Sequence, residues 1–162
     1  MITKLLIDEK YMKAVMELIK AAKKEVLVVA YLISLPRLEK EGKSKMLCDE
    51  LVNARKRGCE CKVILNYTSP PNRAAEDNKE AAKWMGLNGV EFKYVARNRT
   101  VHAKMIIIDG VTLVLGSHNW SQRALERNAE ASIEVSENPV VEEARSWFLR
   151  TWEKARKMEE LP

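Results

Sequence analysis

The chain has little histidine, little cysteine and no long apolar run, and each scarcity narrows the choice. Histidine occurs at only two of 162 positions, His102 and His118. Cysteine occurs at three, Cys48, Cys59 and Cys61, an odd number that argues against a disulfide scaffold. Cys59-x-Cys61 has no second Cys/His pair to complete a zinc site, so no metal and no cofactor are expected, and buried free thiols are. The longest apolar run, Val26 to Ile33, suits a buried strand and falls far short of the roughly 18 residues that cross a membrane. Charges at Lys4, Asp8, Glu9 and Lys10 break any signal-peptide core, so a cytoplasmic location without a membrane partner is expected. Linkers, repeats and low-complexity segments are also missing, which implies a single domain over residues 1–162.

The composition is that of a globular protein, 46% hydrophobic and 31% charged. Its net charge of +5 and pI of 9.1 favour an anionic partner. Arg55-Lys56-Arg57, Arg73, Arg97-x-Arg99 and Arg123-x3-Arg127 fall near predicted element ends or loops. An ordinary solvated surface explains Arg55 to Arg57 equally well. Arg97 and Arg99, immediately ahead of His102, are expected to steer phosphates, which supply most nucleic-acid affinity.

Periodicity predicts strands over 2–7, 26–32, 62–67, 90–95, 101–108, 111–116 and 129–136. Helices are expected over 9–24 with Asp8 as cap, 44–57 stopped by Gly58, 79–85, 121–127, and from a cap at Asn138 to the C-terminal region. Residues 68–78, with Pro70-Pro71, read as a loop bordering the site. Val141, Ala144, Phe148, Trp152 and Ala155 form one apolar stripe, a core-facing pattern. Strands alternating with helices, followed by a hairpin, imply an α/β fold: a mixed sheet with helices on both faces.

The hairpin carries the chemistry. Asp109-Gly110 joins two apolar strands and is a strong two-residue turn signal. A two-residue turn would set Ile108 against Val111, Lys104 against Leu115 and His102 against Ser117. His102, Lys104, Ser117 and Asn119 would then share one side. A frayed edge hairpin with solvated polar residues is the bland alternative. Ile106 and Ile108 on the same face imply burial, where a polar cluster is costly unless satisfied or functional. Asp109 falls on the opposite face and is expected to bond its own turn amides.

His102-x-Lys104-x4-Asp109-x6-Gly116-Ser117 resembles the signature of the phospholipase D superfamily at every fixed position. Asn119-Trp120-Ser121 resembles that family's Asn-aromatic-hydroxyl step, and Asn128-x-Glu130 its downstream Asn-x-Glu. Ala54-x-x-Arg57-Gly58-Cys59-x-Cys61-Lys62-Val63 resembles its helix-to-strand passage, with cysteines where valines are common. In length, and in carrying one motif, the chain is similar to the small bacterial nucleases of the superfamily.

The resemblance implies an α/β/α sandwich and phosphodiester cleavage through a covalent phosphohistidine, without metal. His102 would attack phosphorus, a second imidazole would protonate the leaving oxygen, and water would release the phosphoryl group. Lys104, Asn119 and Ser117 would hold non-bridging oxygens, and Glu130 would orient His102. Asp109, Gly116 and Asn128 would have structural roles, and Trp120 either stacks on a base or lies in the core. Two histidines are required, and His118 is expected to face away as a structural or surface residue. The second imidazole would then be His102 of another copy, in a closed homodimer. Nucleic acid is the expected substrate. A phospholipid phosphodiesterase or phosphatidyl transferase is the rival, although no apolar rim or membrane helix is evident. The third reading is a catalytically silent nucleic-acid binding module.

Overall fold

Val-, Ile- and Leu-rich runs extend into strands, and the amphipathic runs between them coil into helices. The computed structural model describes residues 2–35, 42–69, 71–95, 99–137, 139–157 and 159. In chain order the elements are β1 (Ile2–Ile7), α1 (Glu9–Ala21), β2 (Glu25–Ala30), α2 (Lys43–Lys56), β3 (Glu60–Asn66), α3 (Arg73–Leu87), β4 (Glu91–Val95), β5 (Lys104–Ile108), β6 (Thr112–Gly116), α4 (Gln122–Glu126), β7 (Ala131–Ser136) and α5 (Pro139–Lys154). The strands form one mixed sheet in the order β1-β7-β6-β5-β2-β3-β4. β2 is parallel to β3, and β3 to β4; every other pairing is antiparallel.

Central β2 is buried along its whole length because helices cover both of its faces. On one face Val26, Val28, Ile106 and Val114 pack with Val15 and Ile19 of α1, Leu47 and Leu51 of α2, and Met85 of α3. On the other, Leu27, Val29, Met105, Ile107 and Leu113 pack with Val141 and Phe148 of α5. The expected mixed sheet with helices on both faces is therefore what forms. Helix α5 contacts β4, β5 and β6. Beyond it, Leu5, Ile133 and Leu115, aligned across β1, β7 and β6, are 64, 37 and 41% exposed. That apolar row was not evident from the sequence, because no single strand displays it.

Several local expectations need correction. Helix α3 starts at Arg73 rather than Lys79, because the Asn72 side chain accepts from the N–H groups of Ala74 and Ala75. Asp8 precedes α1 but makes no cap bond; its carboxylate accepts the Glu130 N–H at 2.8 Å instead. The hairpin register is one residue off the two-residue-turn expectation. Lys104 pairs with Gly116 and Ile108 with Thr112. Asp109 and Gly110 both take positive φ, and Val111 N–H closes the turn on the Ile108 carbonyl. The Val111 carbonyl, however, accepts from Glu137 N–H beyond β7, so Val111 bulges and pairing resumes at Thr112. Asn138, the expected cap of the last helix, lies outside the described residues. The three thiols are free and buried, and burial pushes Cys48 and Cys61 up to about 12.

Candidate active site

The parallel strands β2 and β3 end at one edge of the sheet, where β5 begins and β6 ends. Ligand crevices in open α/β sheets lie at this carboxyl edge. A buried amide network fixes its floor. Asn78 of α3 accepts from Ile33 N–H at 2.8 Å and donates to the carbonyls of Tyr31 and Asn66, at 2.9 and 3.2 Å. Asn66, the last residue of β3, accepts the Val101 N–H at 3.0 Å and donates to Thr68 Oγ1. Val101 was expected in the strand; this side-chain bond takes the place of a ladder bond and sets where His102 leaves the sheet.

His102 is exposed and Lys104 half-buried. Lys104 Nζ lies 3.1 and 3.3 Å from the two ring nitrogens of His102 and donates to the His102 carbonyl at 2.7 Å. The Tyr31 ring stands 4.9 Å from the imidazole and 5.5 Å from that ammonium. Burial lowers the Lys104 pKa below its ordinary value, opposed by the negative charge of Glu130. Glu130 therefore belongs to the same electrostatic neighbourhood. It does not bond the His102 ring within the chain. Its carboxylate is held by Ser117 Oγ and, at 2.9 Å, by Asn128 Nδ2, and Arg123 braces Asn128 in turn.

The register slip changes how the cluster is assembled. A one-residue shift exchanges the faces of an entire strand. Gly116, not Leu115, lies across from Lys104, and a Cβ there would overlap Ser132 and the Ala131 carbonyl. Ser117 does not face His102 across a ladder. Its hydroxyl donates to Glu130 and accepts from Ala131 N–H, so it anchors the carboxylate. Asn119 is half-buried, and its Oδ1 is buried without a hydrogen-bond partner among the described residues. Trp120 is core, 2% exposed, with its indole N–H on Tyr11 Oη at 3.0 Å.

His118 is structural, as the sequence suggested, although it is fully buried. Its ring stacks on Tyr11 with centroids 4.1 Å apart. Nε2 donates to the Asp8 carbonyl, which can only accept, so Nδ1 accepts from Ser132 Oγ. Both nitrogens are thus occupied. Burial lowers its pKa, opposed by the Asp8 carbonyl bond and by the charges of Glu130 and Asp8. Asp109 departs from expectation. It bonds the backbone N–H groups of Lys23, Lys24 and Glu25, tying the hairpin to the α1–β2 loop rather than to its own turn. Burial raises the Asp109 carboxyl, the Glu25, Lys24 and Lys23 amides outweigh that, and its pKa falls.

Arg99 is exposed at the same edge; Arg97 lies outside the described residues. No group of three or more His, Cys, Asp or Glu among the described residues could hold a metal ion. No helix among them is long and apolar enough to cross a membrane. Sequence reasoning missed Tyr31, Asn66, Asn78 and Asp8. An Asn closing an apolar strand, as Asn66 does, is the one local hint.

Comparison with known proteins agrees with this fold. Residues 15–152 match the family described as "Cardiolipin synthase, PLD-like domain". No curated protein matches the sequence. Among solved structures, the phospholipase D family member Nuc from Salmonella typhimurium is similar at 22% identity, covering 96% of this chain and 97% of its own, with a TM-score of 0.78. NucT from Helicobacter pylori is similar at 18% identity, covering 97% and 99%, with a TM-score of 0.75. Phosphatidylserine synthase from Haemophilus influenzae Rd KW20 is 15% identical over 91% of this chain, which spans 36% of that protein, with a TM-score of 0.72.

Proposed function

From the premise that this chain belongs to the phospholipase D-like family, we propose that it is a metal-independent phosphodiesterase that cleaves nucleic acid through a phosphohistidine at His102. The observation that carries this reading is an exposed imidazole with an ammonium 3.1 Å from its Nδ1, at the carboxyl edge of the parallel strands. A ring nitrogen of His102 attacks phosphorus as the bond to the leaving oxygen breaks. A second imidazolium gives that oxygen its proton. The same imidazole then takes a proton from water, whose oxygen displaces the ring nitrogen from phosphorus. Lys104 neutralises charge on the non-bridging oxygens, and Asn119 contributes a neutral contact. Glu130, held by Ser117 and Asn128, acts on His102 through the local field and not through a bond to its ring.

The second imidazole is His102 of another copy, since both nitrogens of His118 are occupied inside the fold. The exposed row of Leu5, Ile133 and Leu115 supports such a subunit contact, because β6 and β7 run directly into Ser117 and Glu130. A lipid-cleaving reading would lay the same row against a membrane. The net charge of +5 and exposed Arg99 favour a polyanion over a bilayer.

The test is cleavage of plasmid, single-stranded DNA, RNA and phospholipid vesicles in EDTA, with acid-quench trapping of a phosphorylated histidine. Nucleic acids should be cut and His102→Ala should cut none. Full activity in that variant refutes the nucleophile assignment, and cleavage of vesicles alone hands the site to the lipid reading. Light scattering should give twice the 18.6 kDa chain mass; an active strict monomer defeats the shared site.

A further inference from the structure

A cavity of about 400 Å³ opens on the α5 face of the sheet, at the edge where the parallel strands end. Its lining includes Val95 at the end of β4, Arg99 and Val101 ahead of β5, and Trp147, Arg150 and Lys154 of α5. Val101 directly precedes His102, so cavity and nucleophile are adjacent in the chain and share one edge of the sheet. The mechanism uses none of the α5 residues.

The cavity has two parts. Its walls are apolar: Val95 and Val101 are buried, and Trp147 is a half-buried ring packed against the α5-side core. Its rim is cationic. Arg99, Arg150 and Lys154 are exposed, and none has an ion-pair partner among the described residues. No carboxylate among the described residues lines it. An aromatic ring and exposed cations lining one cavity suit a ligand that is flat and apolar on one side and anionic on the other. The volume falls within the roughly 300–1,000 Å³ usual for small-ligand sites. A nucleotide has that amphipathic form, and aromatic platforms with basic grooves bind single strands without reading sequence.

We propose that this cavity is a subsite for the nucleotide next to the scissile phosphate. Its base stacks on Trp147, and its phosphate is held by Arg150 and Lys154 together with Arg99. The inference rests on the nucleic-acid reading above and deepens it. It implies a preference for single-stranded or locally unpaired substrate, since a base can enter the cavity only when unstacked from its neighbours.

The test measures binding apart from cleavage, using His102→Ala protein and a short fluorescein-labelled single-stranded DNA. Adding Trp147→Leu should weaken binding about tenfold. Adding Arg150→Gln or Lys154→Gln should each lower the slope of log affinity against log salt by about 1. In cleavage-competent protein, the preference for oligonucleotide over bis(p-nitrophenyl) phosphate, measured as a ratio of kcat/KM values, should fall about tenfold in Trp147→Leu. Should Trp147→Leu fail to fold, the two exposed-cation variants carry the test. Unchanged affinity and salt slope in folded variants overturn the subsite, whether or not the wild type cuts nucleic acid. Trp147-dependent binding, if the wild type cuts none of the substrates, sinks the hydrolytic reading and leaves the subsite standing. Trp147-dependent binding to phosphatidylglycerol vesicles without oligonucleotide binding makes the cavity an acyl-chain pocket and overturns the inference.

Discussion

Replacing Asn66 by Ala tests whether a buried amide sets the position of His102, the proposed nucleophile. Asn66 is 4% exposed, and its Oδ1 is the acceptor for the Val101 N–H at 3.0 Å. Truncation leaves that N–H without its partner in a buried place, a penalty of about 1–3 kcal/mol, and also removes the bond to Thr68. With a net loss of about 2 kcal/mol and a sensitivity of about 2–4 °C per kcal/mol for a chain of this size, Tm should fall by about 4–8 °C. A loss of that size is below the roughly 5–15 kcal/mol typical of folded domains, so the variant should stay folded and the catalytic effect can be read separately. Val101 directly precedes His102, and a displacement of about 1 Å at a nucleophile can cost about 10²-fold in rate. kcat should fall by that order, with KM changing less, because Lys104 and the arginines are untouched. Asn66→Asp keeps an acceptor for Val101 N–H and should recover part of kcat. A folded Asn66→Ala protein with wild-type kcat would refute the positioning argument. Failure of Asn66→Asp to exceed Asn66→Ala would refute the role given to the Val101 bond.

Other perturbations address separate parts of the site. Lys104→Ala should lower kcat by about 10²-fold or more, the scale for losing one preorganised donor, as read in steady-state kinetics on an oligonucleotide. His118 has a folded pKa below its ordinary 6.5, so its stabilising contribution is complete above that pH and is lost as pH falls from 6.5 through the folded value. Urea midpoints should therefore drop on acidification below pH 6.5, and the drop should shrink in His118→Gln. Leu5→Asp with Ile133→Asp should halve the mass seen by light scattering and abolish cleavage together; an active monomer would contradict the shared site. Gly116→Ala should cut the yield of folded protein, since its Cβ meets the β7 backbone, which cannot move aside.

The residues of the candidate site were legible because their pattern is local. His102, Lys104, Gly116 and Asn119 lie within 18 residues, and an Asp-Gly turn between apolar strands brings them to one region. His118 could be set aside for a similar reason, although the alternation behind that reading used a register the fold does not adopt. Asn72 is a local cap signal, but it follows Pro70-Pro71, which reads as loop, so the sequence alone places the start of α3 too late. Ser117 illustrates the opposite situation. Its identity was readable, but its work, holding Glu130, depends on the arrival of β7.

The sequence by itself determined the alternation of strands and helices, the buried thiols, and the motif that places the chain in its family. Hydrophobic period, turn chemistry and motif spacing all act over a few residues. Tertiary structure decided the hairpin register, because the Val111 carbonyl was claimed by Glu137 N–H from beyond a different strand. It also decided the bond between Asp8 and Glu130, 122 residues apart, and the Asn66 clamp on Val101, 35 apart. The cavity beneath α5 and the apolar row across β1, β7 and β6 arise only when distant segments share a surface. A buried donor takes whichever acceptor the packed chain brings within reach, and sequence spacing does not encode that distance.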